Sequence, residues 1–303
     1  MPSTRVEGTE RKEGLSRRTL LAGAAGASAA AAGALGLPAS AGESETVEKA
    51  VTKGRLKQSV AQWCFNDHWD IEDTCRIASK LGLKSVELVD TKHWPLLKEH
   101  GLVCALHGSH PLKKGMNDPD NHEMCIEKIR QSIDECAEYG FPNVIAFTGN
   151  RNGIPDEEGL ENCVKGLKKV VGYAEDKGVN LCLEILNSRE DHPGYQGDHV
   201  DYCMDIIKGV GSPRMKLLFD IYHAQIMDGD IIRRIREYQD YIGHYHTAGN
   251  PGRHELDDSQ EINYGAVMKA IADTGYDGYV GQEFIPTRDP VRSLRHAAAL
   301  CDV

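Results

Sequence analysis

The sequence predicts an α/β fold, a (β/α)8 TIM barrel, and three observations predict it. From Leu56 onward, short β-like runs alternate with amphipathic helical stretches, eight of each. The strand runs are apolar almost throughout, as strands buried on both faces of a parallel sheet must be. Glycines (Gly82, Gly101, Gly140, Gly178, Gly211 and Gly275) stand between a helix and the next strand, where a left-handed C-cap is wanted. The rival architecture, a doubly wound open sheet, would show a Gly-rich phosphate loop after its first strand. That position reads Trp63-Cys-Phe-Asn-Asp-His68 instead.

In chain order the pattern gives a strand near 57–63 and a helix near 70–81, then 84–89 with 93–100 and 102–107 with 121–140. The strand near 143–148 leads into a long helix over 156–177, whose start carries the acidic cluster Pro155-Asp-Glu-Glu158, favourable at a helix N-terminus. The remaining pairs are 179–185 with 198–209, 215–220 with 229–239, 241–247 with 264–274, and 279–284 with 290–300. The barrel domain is thus expected over 57–303, after a polar lead-in over 42–56.

Residues 1–41 read as an export signal rather than as part of the fold. Ser16-Arg17-Arg18-Thr19-Leu20-Leu21 begins a twin-arginine pattern, an Ala/Gly/Leu-rich stretch follows, and Pro38-Ala39-Ser40-Ala41 offers a cleavage site. The apolar stretch is interrupted by glycine and falls short of a membrane span. A soluble protein handed to the twin-arginine export machinery, periplasmic or extracellular, is expected.

The chain carries a formal net charge of −11, and without residues 1–41 it keeps 30 basic against 43 acidic side chains. A nucleic-acid partner is excluded on this ground, because phosphate binding needs a surplus of Lys and Arg. The remaining stretch of about 262 residues matches a single barrel of typical size, ~250 residues. Nine cysteines suggest a disulfide framework, yet the count is odd and no CxxC pair occurs. Cys104 and Cys182 fall within strands, and Cys136 and Cys163 within helical patterns, so buried free thiols are expected.

Four of the apolar runs end in a residue able to ligate a metal. They read Val179-Asn-Leu-Cys-Leu-Glu184, Met215-Lys-Leu-Leu-Phe-Asp220, Tyr241-Ile-Gly-His-Tyr-His246 and Tyr279-Val-Gly-Gln-Glu283. The C-terminal ends of barrel strands converge on one mouth, where active sites sit. A single strand-end carboxylate is more often a helix N-cap or an ion-pair partner; four at once, each closing its own run, point to one divalent-metal site. Oxygen donors with one imidazole suit Mn²⁺, Mg²⁺ or Co²⁺ rather than structural zinc, which favours cysteine.

Around these four stand candidate substrate-binding groups: His107 at the end of the third strand, Glu190 in the loop after Glu184, His223 after Asp220, and Arg253 after His246. An arginine can clamp a substrate carboxylate through two parallel hydrogen bonds. His110 is the weaker mouth candidate. Glu87 reads as either a mouth carboxylate or a buried hydrogen-bonded group.

The motifs Leu183-Glu-Ile-Leu-Asn187, Phe219-Asp-Ile-Tyr-His223, His244-Tyr-His246, Ala248-Gly-Asn-Pro-Gly-Arg-His-Glu255, Glu261-Ile-Asn-Tyr264 and Gly281-Gln-Glu-Phe284 carry a resemblance. From residue 55 onward the chain resembles the xylose isomerase-like barrel superfamily and, within it, the hydroxypyruvate isomerase family. The resemblance implies a metal-dependent isomerase that converts a hydroxyketoacid or ketose through an enediolate. It places the metal on Glu184, Asp220, His246 and Glu283, and the proton-transfer pair on Glu184 and Glu283. One departure is informative: bacterial hydroxypyruvate isomerases carry glutamine at the position of His246, whereas ketose 3-epimerases carry histidine. A 3-epimerase is therefore the alternative reading, and a non-catalytic exported sugar-binding barrel the distant one. Barrels of this type often pair through their helical shell or mouth loops, which admits a homo-oligomer.

Overall fold

The computed structural model describes residues 48–303, so the expected signal over 1–41 and the first part of the lead-in lie outside the described residues. Seven parallel strands form the sheet: β1 (Lys57–Ala61), β2 (Ser85–Glu87), β3 (Asn143–Ala146), β4 (Asn180–Glu184), β5 (Met215–Asp220), β6 (Ile242–Thr247) and β7 (Tyr279–Gln282). Their order is β2-β1-β7-β6-β5-β4-β3, so sequence neighbours pair around a curve and β1 pairs with β7.

The eighth expected strand, 102–107, is not a regular strand. It nonetheless bridges the gap between β2 and β3, because Val86 N–H donates to Val103 O, Leu88 N–H to Leu106 O, and His107 N–H to Asn143 O. Side chains explain the missing ladder. Ser85 Oγ accepts the Ala105 N–H at 2.9 Å, and Asn143 Nδ2 donates to Ala105 O at 2.8 Å, so both peptide groups of Ala105 are taken by side chains. The barrel closes through this segment.

The helical shell consists of α1 (Ile71–Leu81), α2 (Trp94–Glu99), α3 (His122–Tyr139), α4 (Asp156–Lys168), α5 (Val171–Lys177), α6 (Val200–Val210), α7 (Ile221–Met227), α8 (Ile231–Tyr238), α9 (Tyr264–Asp273) and α10 (Pro290–Leu300). Two differences from expectation stand out. The single helix over 156–177 breaks into α4 and α5 at Val170, where two successive buried β-branched residues, Val170 and Val171, precede Gly172. The short helix α7 was not anticipated; it follows β5 directly, because Asp220 is at once the last residue of the strand and the N-cap of the helix.

Most of the core lies between sheet and helices, while Leu106, Ile145, Cys182 and Leu218 form a smaller cluster among the strands. All nine cysteines are free and buried, as their placement within strands and helices predicted. The lead-in is tied down at its inner end. Ala50 and Val51 donate to Leu81 O, and Asp302 accepts from Thr52 N (2.6 Å), Lys53 N (2.7 Å) and Gly54 N (2.7 Å). Among the described residues no helix is long and apolar enough to cross a membrane.

Candidate metal and proton-transfer centre

The parallel register of the sheet brings the four strand-end residues to one level. Asp220 on β5 is the register partner of His246 on β6, which in turn pairs with Gly281, two residues before Glu283. Glu184 closes β4 beside Leu218. The residues Glu184, Asp220, His246 and Glu283 are all buried, and one ligand atom from each lies within 4.8 Å of the others.

His246 Nδ1 is the centre of this group. It lies 3.1 Å from Glu283 Oε2, 3.4 Å from Glu184 Oε1 and 3.9 Å from Asp220 Oδ2, and it forms no hydrogen bond. Three carboxylates buried around one imidazole nitrogen concentrate negative charge where water cannot offset it, and a cation is the natural complement. An orphaned imidazole nitrogen among convergent carboxylate oxygens is therefore a donor set that fits a divalent ion. Oxygen-rich sets of this kind suit Mn²⁺, Mg²⁺ or Co²⁺.

The electrostatics agree. Burial raises the Glu184 carboxyl above its ordinary range, and burial together with the nearby Glu283 pushes Asp220 up to about 7. Burial opposes charge at His246 as well, yet Glu283 and the other carboxylates raise its pKa well above that of a free imidazole. Burial alone would raise Glu283, but His246 and Arg253 hold it well below the usual carboxylate range. Protons are shared among four groups that a single cation would satisfy together.

Glu87, which the sequence left between two readings, is a wholly buried carboxylate behind the cluster. Its Oε1 is 2.8 Å from His246 Nε2, and its Oε2 is 3.1 Å from His244 Nε2. Both histidines point to the barrel interior because they are two residues apart on one strand. Burial opposes ionisation of Glu87, but His244 and His246 lower it to about 2. An ionised Glu87 takes the Nε2 proton of His246 as its hydrogen-bond partner and leaves Nδ1 free to ligate. Gly281 makes room for this: a Cβ there would meet Glu87 Oε1 at 2.1 Å.

Arg253 also reaches the centre. It adopts φ 60° in the loop after β6, donates from Nη2 to Glu283 Oε2 at 2.7 Å, and its guanidinium lies over Trp63 (5.1 Å) and Tyr222 (5.8 Å). Trp63 Nε1 donates to the other oxygen of Glu283 at 3.1 Å. His223 is fully buried beside the site, with Nε2 3.7 Å from Asp220 Oδ2.

The other candidates are placed elsewhere. His107 does not face the mouth: its Nε2 lies 2.9 Å from Glu135 on α3, and its ring packs edge-on against Trp94. The reason is alternation, since the preceding Leu106 joins the cluster among the strands and turns its neighbour outward. Glu190 is exposed, and its backbone N–H donates to Asn187 Oδ1. His110 accepts the Phe147 N–H through Nε2, and burial lowers its pKa to about 4. It is a structural histidine. Sequence reasoning missed Trp63, Tyr222 and Asn187 as parts of the site; only Trp63 carried a signal, as an aromatic just beyond a strand end.

A model of the xylose isomerase-like TIM barrel family matches residues 75–301. The chain is 31% identical over 178 residues to the hydroxypyruvate isomerase of Escherichia coli, an alignment that covers 58% of this chain and 68% of that protein. It is 27% identical over 234 residues to the 2-oxo-tetronate isomerase of Pectobacterium atrosepticum, covering 71% and 86%. Among solved structures, the D-psicose 3-epimerase of Clostridium cellulolyticum H10, determined with D-tagatose, superimposes with a TM-score of 0.64 at 21% identity, over 80% of this chain and 90% of that one. The family match spans most of the chain, and the seven parallel strands with their helical shell agree with it. The chain belongs to the xylose isomerase-like TIM barrel family.

Proposed function

We propose that this isomerase, which acts on a sugar or ketoacid, is metal-dependent and converts hydroxypyruvate to tartronate semialdehyde by proton transfer between adjacent carbons. The observation that carries the reading is His246 Nδ1, unpartnered among the carboxylates of Glu184, Asp220 and Glu283. Those four residues would hold Mn²⁺ or Mg²⁺, with Co²⁺ an acceptable substitute. Bound there, the cation would polarise the substrate carbonyl and acidify the adjacent C–H.

The chain's own groups account for the rest. One of the two glutamates accepts the proton leaving C3, and the released electron pair forms the C2–C3 double bond as the C2 oxygen gains negative charge. The other glutamate delivers a proton to C2, while the C3 hydroxyl proton passes to the C2 oxygen, so that C3 becomes the aldehyde and C2 the alcohol. Glu184 and Glu283 lie on β4 and just past β7, on opposite sides of His246, so each can address a different carbon or face. Arg253, whose guanidinium lies near the rings of Trp63 and Tyr222, has further N–H groups to offer a substrate carboxylate.

A second reading is a ketose 3-epimerase, favoured by histidine at position 246. In that case the same pair removes and returns a proton at one carbon from opposite faces. Product analysis by NMR separates the two readings. Tartronate semialdehyde formed from hydroxypyruvate by Mn²⁺-restored protein supports the first, and C3 inversion of a ketohexose replaces it with the second. Export through residues 1–41 is part of the proposal: R17K/R18K protein should remain in the cytoplasmic fraction, and equal export of wild type and variant would remove this element.

A further inference from the structure

Beside the centre, His223 is held by a network that the proton-transfer scheme does not use. Its ring is 0% exposed, and Nε2 has no hydrogen-bond partner, lying 3.7 Å from Asp220 Oδ2. Its other nitrogen, Nδ1, is 2.7 Å from Asn187 Nδ2.

The orientation of the Asn187 amide follows from groups whose chemistry is fixed. The backbone N–H groups of Glu190 and Asp191 approach one end of the amide at 2.9 and 3.0 Å, and backbone N–H can only donate. That end must be the carbonyl oxygen. The opposite end is then the NH₂ group, with two hydrogens to place. One goes to Asp191 Oδ2 at 2.5 Å, a carboxylate that also accepts from the Tyr222 hydroxyl at 2.9 Å. The other goes to His223 Nδ1, which must accept. The ring proton of His223 therefore resides on Nε2.

We propose that Asn187 is a positioning residue that fixes His223 as a neutral Nε2–H donor for the substrate oxygen on which negative charge develops. A buried donor with no protein partner is costly unless a ligand atom takes its hydrogen bond. Only an acceptor can do so, and the oxygen that becomes anionic as the C–H proton leaves is the acceptor whose bond strengthens along the reaction. This inference rests on the proton-transfer reading for the reaction, but the state of the ring does not depend on turnover.

The test has two arms. In Mg²⁺-loaded, ¹⁵N-histidine-labelled protein, the His223 signals, assigned by their loss in H223Q, should show Nδ1 as the unprotonated nitrogen and Nε2 as the protonated one. A proton on Nδ1, or on both nitrogens, overturns the proposal. In N187D a carboxylate replaces the NH₂ group, so His223 should acquire a proton on Nδ1, and unchanged signals would show that Asn187 does not set the ring. In the second arm N187D should lower kcat by about 100-fold, the scale of one lost donor to a developing oxyanion, with Mg²⁺ affinity unchanged. An altered ring with undiminished kcat would also overturn it. Absence of turnover in the wild type with every substrate counts against the reaction reading, while the ring arm still decides the role of Asn187.

Discussion

Both oxygens of Glu283 accept hydrogen bonds, one from Trp63 and the other from Arg253, and His246 Nδ1 lies 3.1 Å from the second without bonding to it. Removing the charge of Glu283 leaves the shape of the side chain but would take away a proton acceptor of the proposed reaction. E283Q and E184Q should each lower kcat by about 10²–10⁴, the range of a lost general acid or base, with far-UV circular dichroism unchanged. Normal turnover in both variants would remove the pair from the chemistry. Glu87 lies one layer further in, against His246 Nε2, so under the proposed metal reading its effect would be on metal affinity. Titration calorimetry of E87Q should show Mn²⁺ binding weakened about 10- to 100-fold, as for other carboxylates that support a ligating imidazole. G281A tests the same layer from the opposite side. A methyl group placed 2.1 Å from Glu87 Oε1 must displace the carboxylate, and thermal unfolding should register a loss of about 1–3 kcal/mol.

At the scale of elements, the strands were legible where a mainly apolar run closed on a polar terminus, even though Lys216 and His244 interrupt two of the runs. Glu184, Asp220, His246 and Glu283 were found because each closes such a run, and parallel register does the rest. Segment 102–107 was found as an element but not as an irregular one, since the side chains that interrupt its ladder, Ser85 and Asn143, belong to its neighbours. His107 was assigned to the wrong face for a related reason: a six-residue run does not reveal which alternate set faces the barrel axis. The partnership of Glu87 with His246 spans 159 residues and had no local signature. The Asn187 network likewise depends on loop geometry that spacing alone does not encode.

The C-terminal residues form a further element with its own consequence. Asp302 accepts from the Thr52 hydroxyl as well as from three successive N–H groups, fastening the chain ahead of β1 to the end of the domain. D302A should lower stability by about 2 kcal/mol, the worth of hydrogen bonds to a charged group. Burial alone would raise the Asp302 carboxyl, but the N–H groups of Gly54, Lys53 and Thr52 bring it below its ordinary value. A depressed folded-state pKa contributes stability above the unfolded value and loses it as pH falls through the folded one. The difference between wild type and D302A in denaturant melts should therefore narrow in acid; a constant difference would assign the effect to packing.

On the scale of the whole molecule, a cation held by a cluster built from four strand ends would couple its binding to folding. A cation that binds the native cluster and not the unfolded chain stabilises the barrel by mass action, roughly 2.7 kcal/mol at one hundred times its Kd. Chelation should lower the unfolding temperature of the wild type and leave that of E184Q/E283Q protein nearly unmoved. The smaller apolar cluster of Leu106, Ile145, Cys182 and Leu218 packs the strands internally, and the polar groups Glu87, His244 and His246 stand together in one buried patch. The acidic balance of the chain, −11 overall, fits a small-molecule substrate better than a polyanion.

The four strand-end residues are proposed to form one metal-dependent proton-transfer centre. Deuterium incorporation measures it most directly: metal-stripped and Mn²⁺-restored protein are incubated in D₂O with hydroxypyruvate and, separately, with ketohexoses, and the C–H positions are read by NMR after the metal is removed. Deuterium should enter the carbon next to the carbonyl of one of these substrates with restored protein, and fail to enter with stripped protein or with E184Q and E283Q. Equal exchange with stripped and restored protein, or no exchange with either substrate class, would contradict the account.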